Sequence, residues 1–83
     1  MGSPDNEGFV RSFARGLSVL EAMGKSGPHS LVSIAAATGL PRTVVRRISL
    51  TLCELGYSVQ DSDKVFHLTP KVLNLGMSYL TSL

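Results

Sequence analysis

The residues best suited to recognising a partner are Arg42, Thr43, Arg46 and Arg47, gathered on one short stretch of the 83-residue chain. The surrounding segment, Ser26 to Cys53, holds three arginines and no acidic residue. A guanidinium is a rigid fork of donors that stays charged in proteins. It suits planar acceptors such as a phosphate, or O6 and N7 of a guanine. A threonine can bond a phosphate through its hydroxyl or touch a thymine through its methyl. This is binding chemistry, and the groups needed for turnover are missing. Ser30, Ser33 and Ser49 have no histidine at useful spacing, and there are no paired carboxylates or Gly-rich phosphate loop. His29 and His67 have no acidic or cysteine companion that the sequence places beside them. The single cysteine, Cys53, excludes an internal disulfide and a cysteine-based metal cluster. No enzyme, cofactor or metal is therefore expected.

The arginines need a helix to present them. With Val45 at zero on a wheel of about 100° per residue, Ile48, Leu52 and Leu55 fall within about 80° on one side. Thr43, Arg46, Arg47 and Leu50 fall near the other. Val45, Ile48, Leu52 and Leu55 thus form a predicted core stripe on a helix over about 41–55, with Arg42 at its start and Gly56 as its stop. Leu50 has no obvious cover. Before this helix stands another, Leu31 to Thr38, with Ser30 as N-cap and Leu31, Ile34, Ala35 and Thr38 turned inward. Gly39 suits the positive φ of a helix end, Leu40 a plug between the helices, and Pro41 a helix start. Two helices across so tight a turn, the second basic on its outer face, form a helix-turn-helix.

The rest of the chain braces this pair. Residues 1–8 are polar and Gly-rich and read as a mobile tail. Ser12 is a candidate cap for a first helix whose buried stripe is Phe13, Leu17, Leu20 and Met23, with Val19 to one side facing a possible partner. Arg11 and Arg15 lie at the start of this helix, where the dipole disfavours cations, and a nearby phosphate backbone would explain them. Tyr57 to Gln60 and Val65 to Leu68 alternate around Asp61-Ser62-Asp63-Lys64, predicting a β-hairpin wing. Thr69-Pro70 starts a last helix. Its apolar residues, from Val72 to Leu80, spread around more than one face, predicting one face on the domain and another on a second chain. At 43% hydrophobic and 17% charged residues the composition is that of a globular domain, and the net charge is only +2. No run approaches the ~20 apolar residues of a membrane span, and no signal peptide is recognisable, so a cytoplasmic location is expected.

Taken together, these words match a known pattern. Arg15-Gly16-Leu17 with Leu20-Glu21, Ala37-Thr38-Gly39-Leu40-Pro41 at the turn and Glu54-Leu55-Gly56-Tyr57 before the wing resemble the amino-terminal domain of IclR-type bacterial transcription regulators. Phe66-His67-Leu68-Thr69-Pro70-Lys71-Val72-Leu73-Asn74-Leu75-Gly76 with Tyr79-Leu80, and the Arg46-Arg47 pair, are similar to the subgroup governing aromatic-acid breakdown through the β-ketoadipate pathway. The likeness runs from Phe9 to Leu83. It departs at Ser58, where an apolar residue is usual, and at the wing, where Asp61 and Asp63 face only Lys64.

The resemblance implies a mainly α fold with a small β-hairpin wing, a winged helix-turn-helix over 9–69. Residues 70–83 would be a linker helix leading to an effector-binding domain that these residues do not include. It implies binding of double-stranded DNA at a palindromic operator by a homodimer in the bacterial nucleoid, with a small-molecule effector bound elsewhere. Arg42 and Arg46 are the expected base readers. Thr43 and Arg47 are expected on phosphate, with Ser30, Arg11, Arg15 and Lys64 as further DNA contacts. Leu75, Tyr79 and Leu80 are the expected dimer residues of the linker. The alternative is a winged-helix protein-interaction module without DNA binding, which has no need to keep Arg42, Arg46 and Arg47 on one exposed face.

Overall fold

In the computed structural model, which describes residues 7–83, the elements run α1 (Arg11–Met23), α2 (Leu31–Thr38), α3 (Arg42–Glu54), β1 (Ser58–Gln60), β2 (Phe66–Leu68), a 3-10 turn (Pro70–Val72) and α4 (Leu73–Thr81). This is the winged helix-turn-helix expected. Of the tail read over residues 1–8, residues 1–6 lie outside the described residues. Glu7 and Gly8 form a turn. Among the described residues no helix is long and apolar enough to cross a membrane.

The turn is built as its residues dictate. Ser30 caps α2 reciprocally: its hydroxyl accepts from Ser33 N at 3.1 Å, and its own N–H donates to Ser33 Oγ at 2.9 Å. Gly39 ends α2 at φ 73°, donating its N–H to Ala35 O at 2.8 Å. Half-buried Leu40 packs on the core. Pro41 is the N-cap of α3 rather than its first helical residue, with ψ at 145° and its carbonyl accepting from Val45 N at 3.0 Å. At the other end of α3, Gly56 has φ 88°. Tyr57 N reaches back to Leu52 O and Gly56 N to Cys53 O, the paired bonds of a Schellman cap.

Val19, Ala22 and Met23 of α1, Ile34 of α2, Val45 of α3 and Phe66 of β2 form the core. This corrects the reading of α1. Val19, set aside as a partner contact, is fully buried, whereas Phe13 and Leu17 are 66% and 43% exposed. The helix has two apolar faces roughly 100–160° apart, and α2 and α3 cover the one carrying Val19. Nor does Ser12 cap α1. The N-cap is Val10, with no side-chain hydrogen bond. In α3, Val45 is buried and Ile48 and Leu52 half-buried as expected, but Leu55 stands beyond the last turn and is 52% exposed. Ser49 takes the inward place instead.

The Ser49 hydroxyl is buried and has no hydrogen-bond partner. A buried unsatisfied hydroxyl costs about 1–3 kcal/mol, and serine is a weaker helix former than alanine. Ser49→Ala should therefore stabilise the domain by about 1 kcal/mol, read as a higher urea midpoint at unchanged m. A lower midpoint would show that the hydroxyl has a partner.

β1 and β2 pair antiparallel, with Ser58 opposite Leu68, Val59 opposite His67 and Gln60 opposite Phe66. Opposed residues share a face, so Ser58 and Phe66 point inward together. In β1 the inward place falls to the polar Ser58 and the apolar Val59 is exposed, so the apolar-polar alternation does not mark the buried face there. Ser58 is tolerated inside because its Oγ lies 3.2 Å from Cys53 Sγ, close enough to share a hydrogen. A third backbone segment joins the sheet through Phe66 N to His29 O at 2.8 Å.

The acidic wing is also explained. Asp61 accepts from Asp63 N and Val65 N on Oδ1, while His67 Nε2–H donates to Oδ2 at 2.8 Å. His67 therefore has the acidic companion that the sequence did not reveal. The pair is too few for a metal, and among the described residues no group of three such ligands occurs. The His67 bond, then the amide of Val65, holds the Asp61 carboxyl below its usual 3.8. A depressed carboxyl adds stability above its unfolded pKa that is lost as pH falls through the lower folded value. The melting temperature of wild type should exceed that of Asp61→Asn at pH 6, by a small margin for so exposed a pair. The gap should close below about pH 4. A gap unchanged at pH 3 would rule out the carboxylate as the cause.

Candidate nucleic-acid interface

The outer side of α3 is a consequence of its inner side. Because Val45 and Ser49 are buried, the residues half a turn away must face solvent. Arg42, Thr43, Arg46 and Arg47 are all exposed, as is Leu50. Among the described residues none of these arginines has a carboxylate within ion-pair distance. Their donors are thus available to an external partner.

The arginines do not all face the same way. Arg47 lines a groove of about 660 Å³ between α1 and α3, together with Arg15, Phe13, Leu17, Ile48 and Leu55. Thr43 and Leu50 lie furthest from the core, Arg46 stands beside them on the side away from α1, and Arg42 opens the helix. Arg15 is half-buried and therefore belongs to the flank, while Arg11 is exposed on the first turn of α1. The Ser30 side chain is already an acceptor in the α2 cap, though its own hydroxyl proton is free to be donated. Lys64 sits at the wing tip with φ 63°, the left-handed region that a lysine adopts only under local constraint. The Asp61 turn supplies that constraint.

The linker residues were expected on a helix with one face on the domain. Instead no residue of α4 is buried. Leu73, Met77, Tyr79 and Leu80 are more than half exposed, and only Leu75 lines the groove. Two residues outside the sequence-derived set matter to the geometry. Lys71 Nζ donates to Leu55 O at 2.6 Å and lies 4.8 Å from the centre of the Tyr57 ring. Thr69 Oγ1 donates to Gly56 O. The Glu54-Leu55-Gly56-Tyr57 word marked the place, but only the fold brings Lys71 to it.

This arrangement has close counterparts. A 34%-identical IclR family transcriptional regulator from Brucella abortus superposes with a TM-score of 0.84 over 99% of this chain and 32% of its own. The Pca regulon regulatory protein of Pseudomonas putida is 43% identical over 98% of this chain and 27% of its own length. The p-hydroxybenzoate hydroxylase transcriptional activator of Acinetobacter baylyi is 39% identical over 92% and 28%. The chain thus spans about a quarter to a third of these relatives, which are regulators and not enzymes. The IclR helix-turn-helix domain profile matches residues 12–62, more than half of the sequence, and the chain belongs to this family of DNA-binding domains of transcription regulators.

Proposed function

We propose that the chain is the DNA-reading part of a regulator of aromatic-compound breakdown genes, with α3 in the major groove of a two-fold symmetric operator. The observation that carries this reading is the exposed outer face of α3, whose arginines have no acidic partner among the described residues, on a helix anchored to the core by Val45 and Ser49. Arg42 and Arg46 read bases, while Thr43 and Arg47 hold phosphate. Ser30, Arg11, Arg15 and Lys64 add contacts to the backbone around them. The names of the relatives from Pseudomonas putida and Acinetobacter baylyi support the aromatic substrate class of the regulated genes.

Residues 9–69 act as the winged reading unit and 70–83 as the linker. Two copies pair through the uncovered apolar surface, Leu75, Tyr79 and Leu80 of one copy meeting the groove of the other beside Phe13, Leu17 and Leu55. Exposed Phe13, Leu17 and Leu55 on the groove, with Leu75, Tyr79 and Leu80 on α4, are the apolar side chains that such a pairing would cover. The effector binds a domain that these residues do not include.

Selection of bound sequences from a random double-stranded DNA library tests the reading. A two-fold symmetric motif, with half-sites about one helical turn or a multiple of it apart, is the expected result. Enrichment of no motif, with unaltered affinity across sequences, would refute it.

A further inference from the structure

We infer that Lys71 is a positioning residue that fixes the direction of α4 relative to α3 and so sets the spacing of the half-sites. The inference rests on the two-copy reading proposed above. It starts from the observation that α4 has no buried residue. Packing of α4 on the domain therefore contributes little to holding its direction. What holds it is the short segment Thr69-Pro70-Lys71, whose non-local hydrogen bonds go to Leu55, Gly56 and Tyr57 at the end of the recognition helix.

Three bonds tie it there. Thr69 N donates to Tyr57 O at 2.9 Å, Thr69 Oγ1 donates to Gly56 O, and Lys71 Nζ donates to Leu55 O at 2.6 Å. The Leu55 carbonyl is at the negative end of α3, where a cation is favoured. The ammonium also stands over the Tyr57 ring, a second attraction for the same charge. A Cβ at Gly56 would lie 3.5 Å from Lys71 Cδ, so the lysine stem runs close along the backbone of the turn. The first two bonds hold the start of the segment. Lys71 alone reaches back from the residue just before α4 turns away, so its bond resists rotation of α4 about that start.

In a pair joined through α4, the angle between α3 and α4 translates directly into the distance and phase between two recognition helices. One base pair of error moves a half-site by about 3.4 Å and turns it by about 35°. A rigid junction penalises that error, whereas a loose one absorbs it. The advantage of binding two half-sites at once is an effective-concentration term that geometry can abolish.

The test uses the 83-residue chain and the operator found by selection. Duplexes carry a single half-site, or two half-sites whose spacing is changed one base pair at a time. Wild type should bind the native spacing about tenfold or more tightly than spacings one pair longer or shorter. Lys71→Met should leave the single half-site Kd within about twofold, and reduce the spacing penalty to about threefold or less. Lys71→Arg, which keeps the cation, should retain the preference. The inference is overturned if Lys71→Met keeps the wild-type spacing penalty. It is also overturned if the variant loses half-site and full-site binding alike, which would mark Lys71 as support for the fold. A wild type that gains nothing from a second half-site would instead refute the two-copy reading, and the inference with it.

Discussion

Replacing Phe66 with alanine is expected to lower the stability of the domain by about 3–5 kcal/mol, the largest loss of any single core substitution. Phe66 is 1% exposed and is the largest side chain among the six buried apolar residues that form the core of the described residues. It joins the wing to α1, and through its backbone bond to His29 it ties the hairpin to the loop ahead of α2. A buried Phe→Ala change costs about 3–5 kcal/mol. A chain of this size has a total stability of roughly 4–12 kcal/mol at the usual value per residue. One substitution therefore removes about a quarter or more of what holds the fold. Phe13→Ala is the control, because it deletes the same atoms from a ring that is mostly exposed. In dilute solution it should cost less than about 1 kcal/mol. Urea unfolding followed by circular dichroism separates the two, and equal midpoints for both variants would show the core to be wrongly placed. At higher concentration Phe13→Ala should weaken self-association, read by sedimentation, since its ring faces the groove.

That contrast shows where sequence reasoning stopped short. Local rules placed the turns well. Ser30, Gly39, Gly56 and Thr69-Pro70 each serve an end of a helix or turn in the manner their residue types dictate. These features depend on a few neighbouring residues. Burial depends on the other elements, and α1 carries two apolar faces. Periodicity finds both faces but cannot say which one the chain covers itself, so Phe13 and Leu17 were assigned inside and Val19 outside. The burial of Ser49 and Ser58 is not legible in the sequence, because small polar residues inside a core leave no hydrophobic signal. Asp61 looked like a liability for a wing near DNA, yet its carboxylate organises the turn by accepting two backbone N–H bonds. The exposed arginines of α3 were readable because one helix sets their direction. Lys71 was not, since it meets Leu55 across sixteen positions of sequence.

The same helical geometry separates the roles of Arg46 and Arg47, and this gives the prediction with the clearest functional signature. With Val45 buried, Arg46 points about 100° from the core direction and Arg47 about 200°. Arg46 stands beside Thr43 and Leu50, whereas Arg47 leans over the groove toward α1 and Arg15. With α3 seated so that the side carrying Thr43, Leu50 and Arg46 meets the base edges, the opposite side carrying Arg47 meets the sugar-phosphate wall. Arg46→Ala should therefore weaken operator binding by about 1–3 kcal/mol and relax the preference at one base position. Arg46→Lys keeps the charge but loses the fork, so it should lose the base preference while its salt dependence stays near wild type. Arg47→Ala should weaken all sequences alike and reduce the slope of log K against log salt by about 0.9. Gel-shift titrations of the three variants on matched and mismatched duplexes, across a salt series, resolve these outcomes. If the sequence effect followed Arg47 and the uniform effect Arg46, α3 would lie in the groove rotated from the orientation inferred from its buried face. If neither variant changed binding, α3 would not be the reading helix.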